Sequence, residues 1–283
     1  MIAWGAKTAY YARTDGFSLA NITSEKYDGT HWSVPPLNAS ESDEINQALN
    51  QEFKYLGKGH QAYVFESQDS RYVLKFIKFQ KYRHHPLFAM LPLPESFEKD
   101  RSKQTLHKQD KRDALFKSWK IAHTKLKDET LVKFVHIDLS DGFKKTVTIY
   151  NRSGTRYDVD LGDYVFLLQK KVDLFEDVLA SQMEKGDVAD AKELLDGLLD
   201  LYMKEFRQGL YEEDRYIVRN TGVLDNKPIQ IDTGRLREDE GLKKPKKQAE
   251  VILWKTTLLK EWLEETYPEL GAHLNFRLGA WQQ

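Results

Sequence analysis

Cysteine is absent from all 283 residues, so disulfides, thiolate metal sites and cysteine nucleophiles are excluded outright. Net charge is almost absent as well. The 43 lysines and arginines face 44 acids and leave a formal charge of -1, which gives no global reason to expect a nucleic acid or an anionic membrane as partner. No stretch reaches the roughly 20 apolar residues needed to cross a bilayer, and the first residues lack a basic segment followed by an apolar core. The default expectation is a cytoplasmic protein with no membrane span. No internal repeat or low-complexity tract stands out, and an apolar share of 40% over this length supports one bilobal domain or two small ones.

What is present is concentrated between Leu210 and Leu236. Asp214 and Asn220 precede the apolar pair Val223-Leu224, while Asp232 and Gly234 follow Ile229-Gln230-Ile231. The intervening turn, Asp225-Asn226-Lys227-Pro228, predicts a small hairpin whose mouth gathers these groups. Mg2+ prefers oxygen ligands and keeps part of its water, so one carboxylate and one amide oxygen suffice where substrate phosphates supply the rest. Asp232 and Asn220 meet that need, and Asp214 could orient or deprotonate an attacking hydroxyl. Asp and Asn are also ordinary turn residues, and taken alone the stretch reads at least as well as a plain turn.

A second stretch changes that balance. Leu56-Gly57-Lys58-Gly59-His60-Gln61-Ala62-Tyr63-Val64-Phe65 is followed, after the turn Gln68-Asp69-Ser70, by Arg71-Tyr72-Val73-Leu74-Lys75-Phe76. Glycines at 57 and 59 would let backbone N–H groups approach phosphates that a side chain would keep away. Alternation along the returning strand predicts Lys75 on one face with its apolar neighbours on the other. A lone Gly-x-Gly is common in hairpins. A glycine hairpin, a strand lysine, an Asp-to-Asn loop and a late Asp-x-Gly in that order are far less common.

That order resembles the protein-kinase-like superfamily. Gly57-x-Gly59-x-x-Ala62-x-Val64 looks like its glycine-rich loop with alanine for the third glycine, and Lys75 looks like its phosphate-binding lysine. Asp214 resembles the catalytic-loop aspartate, Asn220 the metal-binding asparagine, and Asp232-Thr233-Gly234 the metal-binding Asp-Phe-Gly segment. The resemblance runs from about Glu52 to Leu236. It implies an α+β, bilobal fold: an antiparallel-sheet N-lobe with one long helix (1–169) and a small, mainly helical C-lobe (170–283). It also implies ATP and Mg2+ as cofactors and a small-molecule or protein acceptor.

The departures are specific. Glu212-Glu213 stands where protein kinases carry His-Arg, Asn220 comes one residue late relative to Asp214, and Thr233 replaces an aromatic or apolar residue. Only about fifty residues follow Gly234, too few for a large peptide-docking lobe, so the chain looks closer to small-molecule and atypical kinases or to a pseudokinase. The long helical pattern from Phe97 to Lys127 offers no glutamate in its interior. Asp113 is the candidate partner of Lys75 there, and a solvated helix face explains it equally well.

Elsewhere the patterns are structural. Met1 to Leu37 carries Trp4, Tyr10, Tyr11, Phe17 and Trp32, too many aromatics to stay solvated. Ser40 is expected to start a short helix with Asp43 as its capping-box partner and Ile45, Ala48 and Leu49 inward. His84-His85 and Leu91-Pro92-Leu93-Pro94 read as a solvated insertion. Leu131–Leu139, Thr146–Tyr150, Arg156–Leu161 and Asp163–Gln169 read as an antiparallel meander completing the first sheet. Helices are predicted over 174–179, over 188–210 with a wide leucine stripe, and over 249–267. The run Lys243 to Lys247 is a solvated loop or an attractor of anionic substrate. Three functions share these residues: an ATP-dependent phosphotransferase, a nucleotide- or protein-binding pseudokinase, and a transferase of AMP or an amino acid.

Overall fold

The computed structural model describes residues 10–25, 27–83 and 94–281, with the side chains of Glu95 and Ser96 excepted. Trp4, His84, His85 and Leu91 to Leu93 lie outside the described residues. The fold is α+β and divides into two compact units, Met1–Thr124 with Val132–Lys171, and Lys125–Leu131 with Val172–Gln283. Among the described residues no helix is long and apolar enough to cross a membrane.

The first unit is a sheet with helices packed on it. Helix α1 (Leu19–Ile22) and α2 (Ala39–Ala48) precede β1 (Phe53–Lys58), β2 (Ala62–Ser67) and β3 (Tyr72–Ile77). The cap of α2 is Asn38, whose side chain accepts from the Glu41 N–H at 2.9 Å while Glu41 accepts from the Asn38 N–H at 3.1 Å. The capping box expected at Ser40 and Asp43 is therefore shifted by two residues, because Asn is as good an N-cap as Ser and glutamate reaches back further than aspartate. Ile45, Ala48 and Leu49 are buried as expected.

Helix α3 (Glu95–Thr124) follows, then α4 (Lys127–Thr130) of the second unit, and the first unit resumes with β4 (Val132–His136), β5 (Thr146–Tyr150), β6 (Arg156–Asp160) and β7 (Phe166–Lys170). Among the described residues the strand order is β4-β7-β3-β2-β1-β5-β6. The sheet is mixed: β1 and β5 run parallel, with Phe53 opposite Ile149, and the other pairs are antiparallel. The meander expected over 131–169 is thus divided, with β7 and β4 continuing the sheet beyond β3 and β5–β6 closing the opposite edge. Alternation of apolar residues tells which face a strand buries and is silent on which strand it adjoins.

Phe17, Phe53, Tyr63, Phe65, Phe76 and Phe166 are essentially inaccessible, each worth roughly 1.5–3 kcal/mol on burial. Phe17 meets Tyr63 and Phe65 edge-on at centroid distances of 5.3 and 5.1 Å, so this part of the N-terminal segment is core. Helix α3 buries Leu115, Phe116, Trp119 and Ala122 along its second half. Its first half is polar, with Phe97 and Leu106 exposed.

The second unit is mainly helical. Its elements are α4, β8 (Asp173–Leu174), α5 (Phe175–Lys185), α6 (Val188–Arg207), β9 (Leu210–Glu212), α7 (Ile217–Asn220), β10 (Thr221–Leu224), β11 (Lys227–Gln230), β12 (Leu236–Glu238), α8 (Pro245–Lys255), α9 (Thr257–Thr266) and α10 (Pro268–Gly279). The leucine stripe of α6 is buried throughout, from Leu194 and Leu195 to Leu201, Tyr202 and Phe206. The single helix expected over 249–267 is two helices. Thr256 and Thr257 turn their hydroxyls onto the carbonyls of Ile252 and Leu253 at 2.7 and 3.2 Å, a competing bond that bends or ends helices.

Candidate functional site

In the first unit the glycine hairpin, β2 and the strand lysine adjoin in register. Gly57 lies opposite Val64, and Val64 lies opposite Lys75. The hairpin closes through the Gly59 N–H donating to the Ala62 carbonyl at 3.0 Å. A Cβ added at Gly57 or Gly59 would meet nothing within 4 Å. The protein's own packing therefore does not require glycine at either position, and the space over both is open. Lys75 is the half-exposed residue of an otherwise buried β3. As alternation along the strand requires, Tyr72, Leu74 and Phe76 pack into the hydrophobic cluster of the first unit while Lys75 stands on the other face between Val73 and Ile77, which are buried as well. Asp113 sits on α3, where it accepts from Arg112 Nε at 2.8 Å.

Lys78, which the sequence reading passed over, holds the hairpin tip. It is buried, its Nζ donates to the Gly59 carbonyl, and it lies 4.8 Å from the centre of the Tyr63 ring. Burial first, then the charges of Lys81 and Lys58, lower its pKa to about 8. The hairpin stem is fixed separately by Asp15, which accepts from the Tyr55 hydroxyl and pairs with Lys58, both at 3.0 Å.

In the second unit Asp214 and Asp232 lie on adjoining loops, and Asn220 ends α7 beside them. Strands β9 and β12 pair antiparallel, Leu236 opposite Glu212, so the loop after β9 that carries Asp214 runs beside the loop before β12 that carries Asp232. The β10–β11 hairpin turns at Asp225 and Asn226, both left-handed with φ of 51° and 58°, as a two-residue type I′ turn requires. At its mouth the Asn220 carbonyl accepts from the Ile231 N–H at 2.9 Å and the Asp232 N–H at 3.4 Å. The Asn220 side chain is nearly inaccessible, and its Nδ2 has no hydrogen-bond partner among the described residues. Asp232 Oδ1 accepts from the Gly234 N–H at 3.0 Å.

Asp214 is fixed on all sides. Its Oδ1 accepts from the Tyr216 N–H at 3.0 Å, its N–H donates to Glu212 Oε2 at 2.8 Å, and Arg235 stands 3.7 Å from its Oδ2. Beneath it lies a buried group that the sequence reading also passed over: Lys255, Glu212, Glu205 and Tyr202. Its signal was available, since Lys255 follows Ile252 and Glu205 follows Tyr202 at helical spacing on apolar stripes. Burial raises Glu212 to about 7, with Lys255 opposing and the charges of Asp232 and Asp214 adding to it. Among the described residues no three His, Asp or Glu side chains converge as a metal cage.

A glycine hairpin, a lysine on the third strand, a long helix, and an aspartate loop coupled to an Asp-x-Gly loop give the chain a protein-kinase-like order of elements. No protein-family model matches the sequence, and no curated protein does. Among solved structures it is similar to the bifunctional kinase-methyltransferase WbdD, at 16% identity and a TM-score of 0.36 over 79% of this chain and 44% of that one. It is also similar to Rv3197 of Mycobacterium tuberculosis in complex with erythromycin (12%, 0.33, over 79% and 60%) and to the ADP-bound aminoglycoside phosphotransferase APH(2'')-Ib (12%, 0.24, over 73% and 74%). The chain spans less than half the length of the WbdD chains it matches.

Proposed function

We propose that the chain is a kinase-like phosphotransferase that uses ATP and Mg2+. The observation that carries this reading is the Asn220–Asp232 juncture: a buried side-chain amide whose Nδ2 has no partner among the described residues, on a residue whose main-chain carbonyl accepts from the Asp232 N–H. One carboxylate and one amide oxygen form a donor set that suits Mg2+ when phosphate and water complete it. The ion, when bound there, supplies neutralisation of phosphate charge. The open hairpin Gly57 to Ala62, with Val64 and Lys75 beside it, supports a second role, the holding of phosphate oxygens by backbone N–H groups and an ammonium. Asp214 would take the proton from the acceptor hydroxyl, its carboxylate already aimed by the Tyr216 N–H. The acceptor is a small molecule or a protein.

Turnover of ATP with Mg2+ tests this directly. Lys75→Ala and Asp232→Ala are each expected to lower the rate about 100-fold or more, since phosphoryl transfer depends on positioning and charge stabilisation. Wild-type chain should gain roughly 2.7 kcal/mol of stability at 100 times the dissociation constant of nucleotide, and only with metal present. Stabilisation without turnover would replace this reading with the nucleotide-binding pseudokinase, and turnover untouched by both substitutions would remove it.

A further inference from the structure

Lys255 is the last residue of α8, and 1% of its side chain is accessible. An ammonium group has three protons to donate, and here each has an acceptor: the Glu212 carbonyl at 2.8 Å, the Asp214 carbonyl at 2.7 Å and Glu212 Oε2 at 3.3 Å. The same Glu212 Oε2 accepts the Asp214 N–H at 2.8 Å. Asp214 therefore has its N–H tied to Glu212 and its carbonyl tied to Lys255, and both ties converge on one buried ion pair. The ammonium also lies over the Tyr202 ring, 4.7 Å from its centre.

Taking a lysine and a glutamate out of water costs several kcal/mol per ion, and a well-packed apolar pair in their place is often as stable or more so. An apolar pair would fill the space beneath the loop equally well. It would offer nothing to the carbonyls of residues 212 and 214. What the ion pair adds is a fixed main chain on both sides of Asp214, and with it a fixed direction for the Asp214 side chain.

We propose that Lys255 is a positioning residue for Asp214: it clamps the 212–214 main chain so that the Asp214 carboxylate stays aimed at the acceptor hydroxyl. This rests on the phosphotransferase reading above. The fold, unlike the clamp, tolerates loss of the lysine without stranding a charge, because burial already raises Glu205 to about 8 and Glu212 to about 7 and Lys255 opposes both shifts. Without Lys255 both carboxyls hold their protons. The groups acting on this cluster are Glu205, Tyr202 and Glu129 with Glu212, Asp214 and Asp232.

The experiment uses the full chain as Lys255→Met and Lys255→Arg, with ATP and Mg2+ as probes and phosphate release as readout. Hydrogen exchange of the peptide spanning 211–217 is measured alongside. In Lys255→Met the amides of Asp214 and Tyr216 should exchange at least about 10-fold faster while those of α6 keep their protection. Its kcat should fall about 100-fold, as expected for a displaced catalytic group, with KM for ATP within about 2-fold of wild type. Lys255→Arg should fall between the two, since a charged donor is retained in altered geometry. Unchanged exchange in Lys255→Met overturns the clamp. Faster exchange with unchanged kcat overturns its role in positioning, and failure of both variants to fold makes Lys255 a residue of the fold alone. A wild-type chain with no turnover overturns the phosphotransferase reading and the positioning role with it, and the exchange data then show whether the clamp itself was misread.

Discussion

Glu205 is the most costly side chain of the second unit: it is inaccessible, and neither carboxylate oxygen has a hydrogen-bond partner among the described residues. Burial raises its pKa from 4.5 to about 8, opposed by Lys255 and helped by Glu212. The folded chain therefore keeps a proton that the unfolded chain releases, so the contribution of Glu205 to stability is full below about pH 4.5 and declines as pH rises towards about 8. Glu212, raised to about 7, acts with the same sign. The lowered carboxylates Asp15, Glu44 and Asp138 act with the opposite sign, but only below about pH 5, where they begin to take up protons in the unfolded chain. Urea midpoints of wild-type chain should thus fall between about pH 5 and pH 8, and Glu205→Gln should flatten that slope. An identical slope in the variant would show that Glu205 ionises as it does in water. Gly57 and Gly59 make the opposite case, of residues the fold does not need. Gly57→Ala and Gly59→Ala should leave the free energy of unfolding within about 0.5 kcal/mol of wild type, because an added Cβ meets open space. Their stabilisation by ATP and Mg2+ should shrink, and equal stabilisation would remove the hairpin from the phosphate site.

Gly222 is where an element depends on a missing side chain. It lies on β10, the middle strand of β11-β10-β8, and a Cβ there would stand 2.2 Å from Val172 Cγ2 and 2.8 Å from the Asp173 carbonyl oxygen. The valine methyl can turn away, but the carbonyl belongs to the β8 backbone, so the strands must part. Gly222→Ala should cost about 2 kcal/mol and weaken stabilisation by nucleotide, since β10 and β11 hold Asn220 against Asp232. Gly162→Ala is its control: the Phe143 carbonyl oxygen is 2.2 Å from the added Cβ, in the turn between β6 and β7 and outside the Gly57–Lys75 hairpin, so stability should fall with nucleotide affinity kept. Denaturation with and without ATP and Mg2+ separates the two, and equal loss of affinity in both would show that neither strand geometry is specific to the site. The β10–β11 hairpin was legible in the sequence because an Asp-Asn pair between apolar runs permits few turns. The leucine stripe of α6 was legible for the same kind of reason, a period that only one structure satisfies. The parallel β1–β5 pairing was not, since partner choice among strands depends on contacts across more than ninety residues. Nor was Lys78, whose acceptor is the Gly59 carbonyl, a group that every residue carries and no sequence marks, whereas Lys255 and Glu205 left a trace as charges at helical spacing on apolar stripes.

At the scale of the whole chain, the two hydrophobic clusters draw on separate residues. One runs from Phe17 to Leu168 and the other from Phe175 to Leu278. Each can lose its packing without emptying the other, so the chain should unfold in two steps and not one. The segment Lys125–Leu131 decides where the boundary in energy falls. It leaves the first unit after α3 and returns to it at β4, yet α4 packs against β11, and Lys125 and Glu129 pair with Glu238 and Lys204 of the second unit. Those surface pairs are worth little, whereas Leu126 is fully buried. Leu126→Ala should therefore cost about 3 kcal/mol and should cost it selectively. Amides of α6 and β11 should lose hydrogen-exchange protection while those of β1 to β3 keep theirs. Loss of protection in β1 to β3 instead would assign the segment to the first unit, and equal loss in both would mean that the chain folds as a single cooperative body.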